Sequence, residues 1–241
     1  MSVTRAEFET AIEAYWGAKG AQLEISRIKA AVGAGTAGSV RGGKHFDPIA
    51  LLLAKFFLDA GYPTESIRIE AGHGLELPGY FRPSKRWDLV VAHKGTLVAA
   101  FELKALGGPS FGNNYNNRME EALGTATDAR HAIMADLFPG EVPWLGFFLI
   151  VEDDFRSRRP VSLATKGAFP MDPAWVGLSY MERSALSCDR FVREKLYDAV
   201  CCIASSPDEP IPVEFDQRHN WLRFQSAIEA RITYLSKLGL P

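Results

Sequence analysis

The chain has 241 residues, with 27 Lys and Arg against 29 Asp and Glu, a formal net charge of -2 and 47% hydrophobic residues. That composition supports a packed core and excludes a disordered chain. Near-neutrality excludes a protein that coats nucleic acid by bulk charge, while leaving room for one concentrated basic surface.

Residues 4–19 carry Phe8, Ala11, Ile12 and Tyr15 at helical spacing. This start does not read as a secretory leader, and no apolar run in the chain is long enough to span a bilayer. The Gly- and Ala-rich stretch 31–43 reads as a loop. Asp47-Pro48 predicts a helix start, with Asp47 as the N-cap and proline in the first helical position, and Gly61-Tyr62-Pro63 ends that helix. A short strand is expected at 67–70. Leu77-Pro78-Gly79-Tyr80 predicts a type II turn, with Pro and Gly in the two central positions. The stretch WDLVVAHKGTLVAAFELK, 87–104, is two β-rich runs around a Gly-containing turn, hence a hairpin. Asn117 with Glu120 three residues on makes a capping-box pattern that opens a helix to about residue 137. WLGFFLIV at 144–151 is the continuous apolar run of a strand buried on both faces. The helix 117–137 then serves as a right-handed crossover that lays strand 144–151 parallel to strand 96–104. Two further helices are expected at about 182–204 and 217–237. Cys188, Cys201 and Cys202 match no zinc spacing, so a reducing cytoplasm is the expected compartment.

The hairpin carries the chemistry. Side chains alternate along a strand, so Glu102 and Lys104 share a face, and the side Asp88 takes depends on the turn. A two-residue loop, Lys94-Gly95, sets Asp88 opposite Phe101 and puts the carboxylates on opposite faces. A three-residue loop, His93-Lys94-Gly95, pairs Ala92 with Thr96 and puts them on one face. Three-residue hairpins favour glycine in the third position, so the three-residue loop is the expectation. One face then reads Asp88, Val90, Ala92, Thr96, Val98, Ala100, Glu102, Lys104. The other reads Trp87, Leu89, Val91, Leu97, Ala99, Phe101, Leu103. Two acids and a lysine at the end of an apolar face are costly to bury unless paired or metal-bound, and hard oxygen ligands suit Mg²⁺. The plainer alternative is a solvated strand end or a structural ion pair.

Two further segments bear on binding. Arg82, Lys85 and Arg86 precede Asp88 with no acid between Leu77 and Trp87, which suits phosphate contact. The stretch 107–118 reads as a loop holding Asn113, Asn114, Tyr115, Asn116, Asn117 and Arg118. Asn and Arg pair with base edges in the major groove, and the tyrosine could stack or touch sugar; Asn117 is expected to cap the helix instead. A second basic cluster, Arg156, Arg158 and Arg159, follows Glu152-Asp153-Asp154.

The order helix, three strands, helix, strand, with an acid on the second strand and ExK on the third, resembles the PD-(D/E)xK nuclease core. In that resemblance Asp88, Glu102 and the carbonyl of Leu103 hold the metal, and Lys104 positions or deprotonates the attacking water. More specifically, LPGYFRPSKRWDLVV, LVAAFELK, GPSFGNNYNNRMEEALG and PWLGFFLIVED look like the type II restriction endonucleases of the XhoI kind, which cut CTCGAG. The likeness is strong across 77–153. It continues more thinly through Ser179-Tyr180 and 193–199, and at Tyr15-Trp16-Gly17 and Gly42-Gly43-Lys44 with Asp47. It implies an α/β (α+β) fold with a restriction-endonuclease-like mixed sheet flanked by helices. The expected layout is one nuclease domain over 1–241, with a catalytic core at about 45–155, an N-terminal helical extension at 1–44 and a C-terminal helical elaboration at 156–241. It also implies Mg²⁺-dependent cleavage of both strands of double-stranded DNA at a short palindrome with 5′ extensions, a homodimer, and a companion DNA methyltransferase. Ala105-Leu106 stand where the family pattern has Ser-Gln, and His45-Phe46 and Pro48-Ile49 also depart from it, which points to a recognition sequence that is CTCGAG or a close relative. The rival readings are a structure-selective repair or recombination nuclease of the same fold, and a non-catalytic DNA-binding module.

Overall fold

In a computed structural model of the chain, residues 3–31, 44–69, 74–163 and 167–240 are described. The loop expected at 31–43 lies outside them apart from Ala31. The elements, in order, begin with helices α1 (Arg5–Ala31) and α2 (Asp47–Asp59) and strands β1 (Ile67–Arg68), β2 (Glu76–Pro78) and β3 (Ser84–Arg86). Strands β4 (Leu89–His93) and β5 (Thr96–Leu106), helix α3 (Phe111–Met134) and strand β6 (Trp144–Glu152) follow. The last are the one-turn helix α4 (Phe155–Arg158), helix α5 (Tyr180–Arg193), strand β7 (Ala199–Ser205) and helix α6 (Trp221–Lys237). No helix among the described residues is long and apolar enough to cross a membrane.

The sheet order is β1-β4-β5-β6-β7, antiparallel from β1 to β5 and parallel from β5 to β7. This is the mixed sheet flanked by helices that the sequence pointed to, with α3 as the crossover between β5 and β6. The parallel strands read as unbroken apolar runs because helices cover both faces. One face packs Phe8, Ile12, Ile49, Leu53, Phe224 and Ile228 from α1, α2 and α6. The other packs Ala122, Ala126, Cys188 and Phe191 from α3 and α5. Each large apolar side chain enclosed this way contributes about 1.5–3 kcal/mol.

Several expectations are corrected. Phe46, not Asp47, is the N-cap of α2, and Pro48 lies in its first turn. The helix does stop before Gly61, whose φ of 93° suits glycine. Pro78 closes strand β2, and Gly79 lacks the positive φ a type II turn requires. Glycine is needed there for space: an added Cβ would stand 2.5 Å from both the Arg82 carbonyl oxygen and Asp128 Oδ2. The helix expected at 182–204 ends at Arg193, and AVCCIAS that follows is strand β7, buried along its whole length. Asn117 does not cap a helix either, because α3 begins at Phe111.

The β4–β5 hairpin also departs from its expected turn. Lys94 (φ 47°) and Gly95 (φ 77°) form a two-residue loop with His93 paired to Thr96, not a three-residue one. A bulge between Val91 and Ala92 in the pairing then shifts the register by one, so that Leu89 faces Phe101. Continuing the ladder sets Asp88 opposite Glu102, and the Asp88 N–H donates to the Phe101 carbonyl at 3.1 Å. Turn and bulge together restore the parity that places both carboxylates on one face. The bulge also exchanges Leu97 and Val98: Leu97 packs toward α3 and α5, and Val98 joins Ala99 on the opposite face. Trp87, just ahead of β4, packs with Val90 and Leu97 rather than with Leu89.

Candidate active site

Asp88 enters the site from the bend before β4, while Glu102, Leu103 and Lys104 come from β5. Glu102 faces α3 and is 1% exposed, whereas Asp88 is half-buried. Asp88 Oδ2 accepts the Leu103 N–H at 2.7 Å, which fixes the carboxylate against the strand. The Lys104 ammonium pairs with Glu102 Oε1 and lies 3.4 Å from the Leu103 carbonyl oxygen and 3.8 Å from Asp88 Oδ2. A second ammonium, that of Lys85 on β3, bonds Glu102 Oε2 at 3.1 Å and Oε1 at 3.4 Å, and also reaches the Arg86 carbonyl.

Two carboxylates and two ammoniums thus share one poorly hydrated corner. Burial raises the Asp88 pKa and the charge of Glu102 adds to it; Lys104, the Leu103 N–H and Lys85 only partly offset this. Burial opposes the charge on Lys104, but Glu102 and Asp88 outweigh it and hold the ammonium's pKa above its ordinary value. Tyr197 is fully enclosed nearby and its hydroxyl donates to the Ala122 carbonyl at 2.9 Å; burial first, then Glu102 and Asp88, keep it protonated.

Among the described residues no group of three His, Cys, Asp or Glu side chains is placed to hold a metal ion. A metal here would rest on two carboxylates completed by a carbonyl and water. The donor set fits a hard divalent cation: Asp88 Oδ2, Glu102 Oε1 and the Leu103 carbonyl oxygen, all oxygens, converge on one positive charge, the Lys104 ammonium.

The expected DNA-contacting residues divide. Tyr115 is 9% exposed and its hydroxyl meets Ser187 Oγ at 2.7 Å, so its ring belongs to the α3–α5 packing and is not available to a base or sugar. Stretch 107–118 is largely helix, not loop. Asn114 Nδ2 donates to the Gly107 carbonyl at 2.7 Å and ties the chain entering α3, while Asn113, Asn116 and Asn117 project from its outer face. Arg118 pairs with Glu121 at 2.6 Å. Arg86 is exposed, and Arg82 donates through Nε to Asp128 at 2.8 Å. In the second basic cluster Arg156 pairs with Asp154, Arg158 with Asp153, and the Arg159 guanidinium lies 5.7 Å from the Phe155 ring centre.

Two features went unanticipated. Asp128 of α3 accepts the Tyr80 N–H at 2.9 Å, the Phe81 N–H at 2.7 Å and Arg82 Nε at 2.8 Å, pinning the chain between β2 and β3. Lys85 joins the carboxylates rather than the solvated surface. No local sequence signal marks either, since each partner lies on a distant segment. Ala105 and Leu106, where the family pattern differs, pack into the two core faces.

Comparison with known proteins gives a consistent picture. The family model described as restriction endonuclease XhoI matches residues 26–215. Type II restriction enzyme BstVI of Geobacillus stearothermophilus is 34% identical over 209 residues, covering 84% of this chain and 92% of that protein. Type II restriction enzyme XhoI of Xanthomonas vasicola is 36% identical over 182 residues, 74% of this chain and 71% of the relative. Type II restriction enzyme AbrI of Azospirillum brasilense is 54% identical over 86 residues, 35% and 39% of the two chains. No solved structure matches the chain at a significant level.

Proposed function

From the premise that this chain belongs to the XhoI restriction endonuclease family, we propose that it hydrolyses both strands of DNA with Mg²⁺ at CTCGAG or a closely related palindrome, leaving 5′ extensions. Membership makes it a type II restriction endonuclease, a site-specific deoxyribonuclease acting on double-stranded DNA, and enzymes of this type generally need a divalent metal. The observation that carries the catalytic assignment is the convergence of Asp88 Oδ2, Glu102 Oε1 and the Leu103 carbonyl oxygen on one cation.

In this reading Asp88, Glu102 and the Leu103 carbonyl hold the metal. When bound, such an ion supplies Lewis acidity to the scissile phosphate and to the attacking water. Lys104 yields the central position, orients that water and neutralises charge as it develops on the phosphate. Arg86 and the outer face of α3, with Asn113 and Asn116, meet the DNA, the arginine at phosphate and the asparagines at base edges. A palindrome read by two copies of one site calls for a two-fold homodimer. A companion methyltransferase protecting the same sequence, and a cytoplasmic location, complete the proposal.

The test is digestion of a sequenced plasmid with Mg²⁺ followed by end mapping. Fixed fragments with 5′ extensions at one palindrome support the reading, and resistance of DNA methylated at that sequence supports the pairing. Cutting without a fixed pattern, directed instead at branched substrates, would turn the reading to a structure-selective nuclease. Sedimentation as a monomer both free and on cognate DNA would remove the dimer.

A further inference from the structure

Lys85 lies outside the metal-ligand set and outside the ExK pattern, yet it bonds both oxygens of Glu102, at 3.1 and 3.4 Å. With Lys104 also on Oε1, a carboxylate that is 1% exposed has an ammonium on each side. Glu102 is buried too deeply to be left without a counter-charge, and the two ammoniums supply it. A divalent ion held by Asp88 and Glu102 would add two more positive charges to a site that already holds two ammoniums, and like charges repel strongly where hydration is poor.

We propose that Lys85 is a displaceable counter-ion of Glu102 that competes with the divalent metal and sets how tightly the DNA-free protein binds it. The geometry of the β2–β3 ribbon suits the role. Lys85 is the middle residue of β3, in a two-stranded ribbon that is not hydrogen-bonded to the main sheet, and its neighbours Ser84 and Arg86 are exposed. Its side chain is 24% exposed, so it has a path to the surface where phosphate lies in the reading above. DNA thus offers Lys85 another partner as it arrives, and metal and DNA binding reinforce each other through this one residue. Lys85 is a positioning residue in this account. The inference rests on Asp88 and Glu102 being metal ligands.

Calorimetric titration of Mn²⁺ into the full-length protein without DNA tests it, with circular dichroism to confirm folding. Lys85→Met should bind Mn²⁺ about tenfold more tightly than wild type, because one repelling charge is gone. Lys85→Gln, which keeps a donor toward Glu102 and drops the charge, should show the same tightening and stands in where the methionine variant does not fold. Lys85→Arg should stay near wild type. General damage to the site would weaken binding, so tightening is diagnostic. Unchanged or weaker binding in both Lys85→Met and Lys85→Gln, with Glu102→Gln abolishing binding, overturns the role of Lys85 alone. Wild-type Mn²⁺ binding by Glu102→Gln overturns the metal reading and this inference together.

Discussion

Replacing Asp128 with alanine removes the carboxylate that pins the β2–β3 ribbon onto α3. Three donors lose their acceptor: the Tyr80 and Phe81 N–H groups and Arg82 Nε, at 2.9, 2.7 and 2.8 Å. A hydrogen bond to a charged acceptor contributes about 1.5–3 kcal/mol. Here the side chains of Tyr80, Phe81 and Arg82 are exposed, so the freed donors regain water and only part of that sum is lost. A net destabilisation of about 3 kcal/mol is expected, which for a domain of this size lowers Tm by about 6–12 °C. The effect also has a pH signature. Burial alone would raise the Asp128 pKa, but the bonds from Arg82, Phe81 and Tyr80 outweigh it and hold the carboxyl below its ordinary value of 3.8. A depressed folded pKa means the stabilisation is complete above the unfolded value and is lost as pH falls through the folded one. The gap between wild type and Asp128→Ala should therefore be full at neutral pH and close below about pH 4. Urea unfolding across that range is the assay. A difference under about 0.5 kcal/mol at pH 7, or a gap that widens on acidification, would refute the reasoning.

Other variants separate packing from recognition. Tyr115→Phe should cost about 1 kcal/mol of stability through the lost bond to Ser187 and leave cognate DNA affinity unchanged; a fall in affinity would return Tyr115 to the DNA interface. Asn113→Ala and Asn116→Ala should each weaken cognate binding in Ca²⁺ by about 1–3 kcal/mol with little change in Tm; equal loss on cognate and random DNA would exclude base reading. A Cβ at Gly146 would stand 2.6 Å from the Phe101 ring and 2.7 Å from the Trp144 ring. Gly146→Ala should therefore destabilise by about 1–3 kcal/mol, read by denaturant midpoint, and a neutral result would mean that those rings repack freely.

The sheet was legible where apolar pattern and punctuation agreed. WLGFFLIV could be little else than a central strand, and its parallel pairing with β5 followed from the intervening helix. The shared face of Asp88 and Glu102 agrees with the expectation, while the turn that produces it does not. The two-residue loop alone would have separated them, and a bulge with no mark in the sequence brings them back together. Strand β7 was missed because α5 ends without glycine or proline: Lys195 takes the left-handed position itself, at φ 54°. Asparagine is a poor helix former, so local preference favours a loop over the asparagine run. Packing of Phe111 and Tyr115 against Tyr180 and Ser187 of α5 overrides that preference and leaves Asn113, Asn116 and Asn117 on the outer face. The position of Lys85 could not be read at all, since it depends on how a separate ribbon, held by Asp128, folds over the end of β5.

The central claim is that the Asp88, Glu102 and Lys104 cluster carries out the hydrolysis. Its most direct test is single-turnover cleavage of mapped plasmid by Asp88→Asn, alongside binding of the same cognate site in Ca²⁺. The account predicts cleavage reduced by about a thousandfold or more, the equivalent of several kcal/mol of lost metal assistance, with the protein folded and cognate binding largely kept. Cleavage by Asp88→Asn at the wild-type rate would contradict it.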